Sequence, residues 1–226
     1  MKKFDISCTG QDESVCNDCN LDKHLGCRYS RRDFWFFTLN QVPFFIMAVA
    51  SFVFTGLLSG CWWALIMYLV LTIVFFGLGL ETRILCSHCP YWANGSSKLN
   101  CWAYPNTPKY WKYRPGPMNT IEKSLLIIFF AFIFIFPVLI MLYSIWLIIG
   151  SSIQFSSLVL FGAAAMAAGT FFTGLQFLYI MQHYFCRKCV NFSCPLNHVK
   201  ADVVQAYLQK NPVMKKTWEK SGYIAE

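Results

Sequence analysis

FWFFTLNQVPFFIMAVASFVFTGLLSGCWWALIMYLVLTIVFFGLGL, residues 34–80, contains no Asp, Glu, Lys or Arg. One bilayer span needs about 20 apolar residues, so this stretch is long enough to cross twice. Ser59-Gly60-Cys61 is the natural place for the turn. Residues 124–182 repeat the pattern, equally free of those four residue types, with a turn around Gly150-Ser151-Ser152. The sequence therefore predicts an all-α membrane protein whose four transmembrane helices form two hairpins. The spans fall near Val42–Leu58, Trp62–Leu80, Leu125–Ile149 and Phe155–Ile180. Pro43 is expected in the first turn of the first span, where a missing N–H costs least, and Pro137 should kink the third.

Composition agrees with this reading. Of 226 residues, 56% are apolar and only 13% charged, against about a quarter charged in soluble domains. The length leaves no room for a large separate catalytic domain. Five parts follow: a leader (1–33), hairpin 1 (34–80), a loop (81–123), hairpin 2 (124–182) and a tail (183–226). All 19 Lys and Arg lie in the leader, loop and tail, as 6, 6 and 7. The positive-inside rule places these three segments, and both termini, in the cytosol of a cytoplasmic-type membrane. The polar leader does not resemble a cleavable secretory signal.

Ten of the 11 cysteines fall in the same three segments, and only Cys61 does not. A reducing cytosol argues against stable disulfides, which leaves metal binding or redox chemistry. The leader reads Cys8-x7-Cys16-x2-Cys19-x7-Cys27 and the loop Cys86-x2-Cys89-x11-Cys101. The tail reads Cys186-x2-Cys189-x4-Cys194-x3-His198. Two residues between cysteines let both sulfurs reach one tetrahedral ion from a tight turn, in zinc sites and iron–sulfur proteins alike. The expectation is a cytosolic cysteine-rich metal-binding cap with two or three zinc ions, and an iron–sulfur cluster as the alternative. Cys-Pro at 89–90 and 194–195 favours the cluster, whereas pairs separated by variable loops favour zinc. Two groupings fit. Cys86, Cys89, Cys186 and Cys189 can share an ion across the loop and tail, or each segment can close on itself, with His198 completing the tail set. His88, squeezed between Cys86 and Cys89, is a poor ligand for the ion they would share.

The loop also mixes aromatic and basic residues, as in Lys109-Tyr110-Trp111-Lys112-Tyr113-Arg114. Such rings favour the headgroup layer, and basic side chains there meet anionic lipid phosphates. Lys109, Trp111, Lys112 and Arg114 are thus candidates for contact with a lipid or quinone headgroup. Prolines 105, 108, 115 and 117 argue for an extended strap. Residues 199–210 carry Val199, Val203, Ala206 and Tyr207 near helical spacing, an amphipathic helix ended by Asn211-Pro212.

The spans lack the ionisable groups that mark ion pathways, leaving Thr170, Thr173 and Gln176 among a few polar candidates, mostly as interhelical hydrogen-bond partners. Gly162–Gly169 is a small-residue run that permits close contact with another helix, Gly77 and Gly79 being possible partners, or with a second copy of the chain. Asn94-Gly95-Ser96 and Asn191-Phe192-Ser193 match the glycosylation pattern but lie on the cytosolic side. Three functions fit: a metal-stabilised scaffold or docking subunit for a protein partner, an iron–sulfur protein passing electrons between a cytosolic donor and quinone, or a metal-ion handling protein using Cys101 and Cys61. The net charge of +8 is local, because the leader is neutral while the loop and tail carry +4 each. That distribution suits anionic membrane lipids and makes nucleic acid an unsuitable partner.

Overall fold

The computed structural model describes residues 8–9, 19–60, 62–93, 95–150 and 156–222. Cys16, Cys61, Asn94, Ser151 and Ser152 lie outside them, and with them part of each predicted turn. Among the described residues the fold is mostly helical. Three elements are long and apolar enough to cross a membrane: α1 (Arg31–Ser59), α5 (Thr120–Gly150), and α6 (Ser157–Ile180) with the π-helical turn Met181–Phe185 that extends it. A fourth exists if α2 (Trp63–Thr72), its π-helical turn Ile73–Gly77, and Leu80–His88 count as one span bent by 43°. The bend follows from Gly79, whose φ of +76° is a conformation glycine adopts without steric cost. The short helix α3 (Leu80–Ile84) starts beyond it. The smaller elements are α4 (Pro90–Ala93), β1 (Lys98–Asn100), β2 (Pro105–Pro108), α7 (Ala201–Gln209) and α8 (Pro212–Lys220).

Two helix starts differ from the sequence reading, and capping explains both. The Ser30 hydroxyl accepts the Asp33 N–H at 3.2 Å, and Asp33 sits in the positive first turn of α1. The helix thus begins at Arg31, well before Val42, and Pro43 lies inside it rather than in its first turn. At α5, Asn119 Oδ1 accepts the Glu122 N–H at 2.8 Å while Glu122 Oε2 accepts the Asn119 N–H at 3.0 Å. This reciprocal capping box satisfies two donors that a helix start leaves orphaned.

The described residues divide into two compact units. The first to consider is the membrane unit, Thr38–Gly79 with Ile127–Tyr179. Its core joins Phe44, Ala48 and Phe52 of α1 to Ala64 and Tyr68 of α2 and to Ile133 and Ile140 of α5. Phe52 lies against Tyr68 with ring centroids 4.6 Å apart, and Phe44 against Phe134 at 4.7 Å. Buried hydroxyls pair across helices: Ser51 with Thr170 at 2.9 Å and Thr55 with Ser144 at 2.7 Å. Each of the four also lies within hydrogen-bond distance of the carbonyl four residues back, so in each pair one hydroxyl donates to the other and that one donates to its carbonyl, which ties α1 to both α5 and α6. Small residues on α6 bring it close to α1. A Cβ at Gly169 would lie 2.6 Å from Met47 Cε, and one at Gly174 would lie 3.3 Å from the Phe44 ring. At Gly169 and Gly174 the neighbour is therefore α1, not the α2 glycines.

The cysteine unit comprises the described parts of residues 1–37, 80–126 and 180–226. Its core draws on all three segments: Leu21 and Leu25 of the leader, Tyr91, Trp92 and Leu99 of the loop, and Val204, Tyr207, Leu208, Met214 and Trp218 of the tail. Here the fold departs from all-α, because β1 and β2 pair antiparallel with Leu99 opposite Thr107. Proline is tolerated at such an edge, where its missing N–H breaks no interior ladder. Asn106 takes a φ of +58°, a conformation asparagine tolerates, and its N–H reaches Asn100 Oδ1 at 3.2 Å. The predicted amphipathic tail helix is α7, with Val204, Tyr207 and Leu208 buried and Val199, Val203 and Ala206 packed at the edge of the core.

Replacing Gly169 by Ile should lower the thermal stability of the detergent-solubilised protein, because Met47 must move. Gly162→Ile, whose Cβ meets nothing within 4 Å, should not. Equal losses in a fluorescence melt would contradict this helix contact. Thr170→Val should cost about 0.6 kcal/mol, the average for interhelical side-chain hydrogen bonds in a membrane protein.

Candidate metal centre

Three turns present the cysteines of the loop and tail. After α3, Cys86–His88 form a 3₁₀ turn closed by the Cys89 N–H on the Cys86 carbonyl at 2.9 Å, and Pro90 then opens α4. Proline suits that first helical position because its N–H would be unpaired anyway. Cys101 follows β1 directly. In the tail, Cys194 N–H donates to Asn191 O at 3.2 Å, Asn197 N–H to Cys194 O at 3.0 Å and His198 N–H to Cys186 O at 3.1 Å, folding residues 186–198 into one closed loop.

In each turn backbone amides point at sulfur. The Tyr104 N–H lies 3.3 Å from Cys101 Sγ. Amides of Ala103, Tyr91, Asn191 and Leu196 likewise donate to Cys101, Cys89, Cys189 and Cys194. Donors of this kind favour the thiolate, the form of cysteine that binds metal. Burial opposes them. It pushes the Cys101 and Cys186 thiols up to about 12 and raises Cys89, Cys189 and Cys194, so without a cation these groups keep their protons at neutral pH.

The loop and tail thiols share one neighbourhood. Cys89 lies within electrostatic reach of Cys101, Cys189 and Cys194, and Cys86 within reach of Cys89, Cys101 and Cys189. Cys186 adjoins Cys189 on the tail side. Neither predicted grouping is singled out: Cys86 and Cys89 lie within electrostatic reach of Cys189, as the loop-to-tail set requires, while Cys186, Cys189 and Cys194 lie within reach of one another, as local closure requires. Among the described residues, no three His, Cys, Asp or Glu side chains stand close enough to hold a metal ion as they are. Thiols hydrogen-bond weakly to one another, so a cation is what would draw their sulfurs to coordination distance.

His198 is exposed, and its Nδ1–H donates to the Leu196 carbonyl at 2.8 Å. In the leader, Cys8 and Cys19 meet neighbouring tail residues: Asn211 Nδ2 lies 3.2 Å from Cys8 Sγ and Lys210 Nζ 3.2 Å from Cys19 Sγ. Slight burial works to raise the Cys19 thiol, but the Leu21 amide and Lys210 outweigh it and leave it lowered. Cys27 is buried, and Tyr91 lies within electrostatic reach of it as well as of Cys89, Cys101 and Cys189. His88 donates from Nδ1 to Gly116 O at 2.6 Å and faces Glu122 Oε2 at 3.4 Å, a role in holding the strap.

The aromatic-basic strap is folded onto this unit. The Trp111 indole donates to the Thr82 hydroxyl at 3.2 Å and lies under the Arg83 guanidinium at 4.9 Å. Arg114 pairs with Glu122 at 2.6 Å, and Trp218 donates to Pro115 O at 3.0 Å. Lys109 is half-buried near Cys89, where burial lowers its ammonium to about 8. Tyr110, 72% exposed, and Lys112 point outward.

Several residues that shape the site were not read from the sequence as contributing to it. Asn191 Nδ2 donates to Leu85 O at 2.9 Å, joining the tail turn to the end of the α3 segment, and Ser193 donates to Asn191 Oδ1 at 2.9 Å. Asn197 Nδ2 reaches Cys189 O at 2.7 Å. Asn191 and Ser193 belong to a triplet that resembles a glycosylation acceptor, yet both are buried. The available signal was their position inside a cysteine-bounded turn, where Asn and Ser bond to nearby backbone. No protein-family model, curated protein or solved structure matches this chain.

Asn191→Ala leaves the Leu85 carbonyl with only the His88 N–H at 3.3 Å and takes away the acceptor of the buried Ser193 hydroxyl, a loss of about 1–3 kcal/mol. Hydrogen exchange should rise in residues 186–198 and at Leu85 together. Exchange that stays at the parent rate would exclude Asn191 as the link.

Proposed function

We propose that the protein is a multi-pass membrane protein whose cysteine unit is a zinc-stabilised scaffold, a docking subunit for a protein partner on the cytosolic side. The observation that carries the reading is that Cys86, Cys89 and Cys101 of the loop and Cys189 and Cys194 of the tail, one buried and four half-buried, lie within electrostatic reach of one another through Cys189, with backbone amides directed at four of the five sulfurs. Buried groups that ionise are ordinarily paired or bound to metal, and clustered thiols are the ligand set for zinc. Four thiolates closed around zinc leave no open position for a substrate, which suits a structural role better than a catalytic one. Five thiols for four positions leave one to spare.

Orientation rests on charge. With every Lys and Arg in the leader, loop and tail, the cysteine unit faces the cytosol, where thiols stay reduced. The exposed Tyr110 and Lys112 suit contact with anionic lipid at that surface. An iron–sulfur centre passing electrons to quinone is the second reading, favoured by the amide donors on sulfur, which also tune cluster potentials.

Because ligation would join loop to tail, metal removal should free both. Treating the detergent-solubilised protein with a zinc chelator should make the 95–115 and 186–200 segments sensitive to protease at once, leaving α1, α5 and α6 intact. Changing Cys89 and Cys189 together to Ser leaves too few thiols and should give the same cleavage without chelator. Cleavage unaffected by chelator and by the double change would overturn the shared centre.

A further inference from the structure

A buried carboxylate lies beside these thiols. Glu81, on α3, is 5% exposed and accepts a hydrogen bond from the Tyr104 hydroxyl. Cys101 and Cys194 both lie within its electrostatic reach. Placing a carboxylate among thiols is costly unless it does something there, since each further anion makes the next harder to form. Tyr104 supplies the connection, because the residue whose hydroxyl meets Glu81 is also the one whose N–H meets Cys101 Sγ at 3.3 Å.

Cys101 needs this help more than its neighbours. Cys86 and Cys89 hold each other through a closed turn, and the tail cysteines share the network of Asn191, Ser193 and Asn197. Cys101 instead has no second cysteine at close spacing in sequence. It sits where the short sheet gives way to residues 102–104, which carry no regular structure. An anchored tyrosine ring fixes that turn, and the turn aims two amides at the sulfur.

We propose that Glu81 is a positioning residue for the thiol centre, holding Cys101 in place through Tyr104 and so controlling whether Cys101 is the loop's third ligand. This rests on the metal-centre reading above. Outer-shell partners of metal ligands commonly change affinity by about 10–100-fold when removed. A divalent cation at the thiol site would favour the ionised form of this carboxyl group, which would then add a negative charge beside it.

Full-length protein in detergent gives two readouts: zinc transfer to a chromophoric chelator, and N-ethylmaleimide alkylation of Cys101 in zinc-stripped protein followed by mass spectrometry. Tyr104→Phe and Glu81→Leu should each weaken zinc binding by about 10–100-fold and speed Cys101 alkylation, while Cys186 alkylation stays at the parent rate. Glu81→Gln retains an oxygen to accept from Tyr104, so Cys101 should remain protected even though zinc binding weakens. In a Cys101→Ser background, Tyr104→Phe should no longer change zinc affinity. Cys101 alkylation as slow in Tyr104→Phe and Glu81→Leu as in the parent would overturn the proposal. A parent protein that binds no zinc would sink the metal-centre reading instead, and the alkylation arm would still judge the link from Glu81 to Cys101. Should Glu81→Leu fail to fold, Tyr104→Phe and Glu81→Gln decide the question.

Discussion

A thiol buried among other thiols is in an unfavourable place to ionise, and the cysteine unit is organised around several of them. Burial keeps Cys89, Cys101, Cys189 and Cys194 protonated, while amides stand ready to stabilise the thiolates that a cation would create. The rest of the unit brings three separate stretches of chain to that point. Gly26 N–H meets Lys188 O at 2.7 Å, and the Tyr91 hydroxyl meets Gly26 O at 2.8 Å, so one leader residue touches both tail and loop. Trp92 donates to Trp111 O at 2.6 Å and pins the strap against the same core. No one segment is long enough to bury a core by itself, and small units of this kind ordinarily rely on a metal or disulfides as well.

The membrane unit solves a different problem. Between helices already surrounded by lipid, apolar burial gives little preference for one packing over another, so shape and hydrogen bonds decide. The two hydroxyl pairs on α1 and the close approach at Gly169 and Gly174 supply both. Aromatic rings fill the remaining space, with Phe134 touching Phe44 on one side and Phe177 on the other.

The three helices long and apolar enough to cross a membrane, and the bent fourth, were legible in the sequence because charge is absent over most of their length. Helix starts were less so. The caps at Ser30 and Asn119 lie outside the apolar runs, and capping depends on short-range polar contacts that hydropathy does not register. The break at Gly79 was written as a glycine in the sequence, but the same residue type also sits unbroken inside α6 at Gly169 and Gly174, so residue type alone does not locate a bend. For the site, spacing identified the cysteines but left their grouping open, because grouping depends on how distant segments pack. Cys101 and Cys189 come within electrostatic reach of each other through packing that no local pattern encodes. Glu81 was visible only as a charge at a span boundary, and Tyr104 as one aromatic among many. Their pairing is a property of the folded loop.

If a cation joins the loop and tail thiols, elemental analysis of anaerobically purified protein should find colourless protein with zinc in roughly stoichiometric amount, reduced by one ion per chain when Cys89 and Cys189 are both changed to Ser. Protein that carries iron and sulfide with visible absorption, or that holds no metal at all in its native membrane extract, would contradict it.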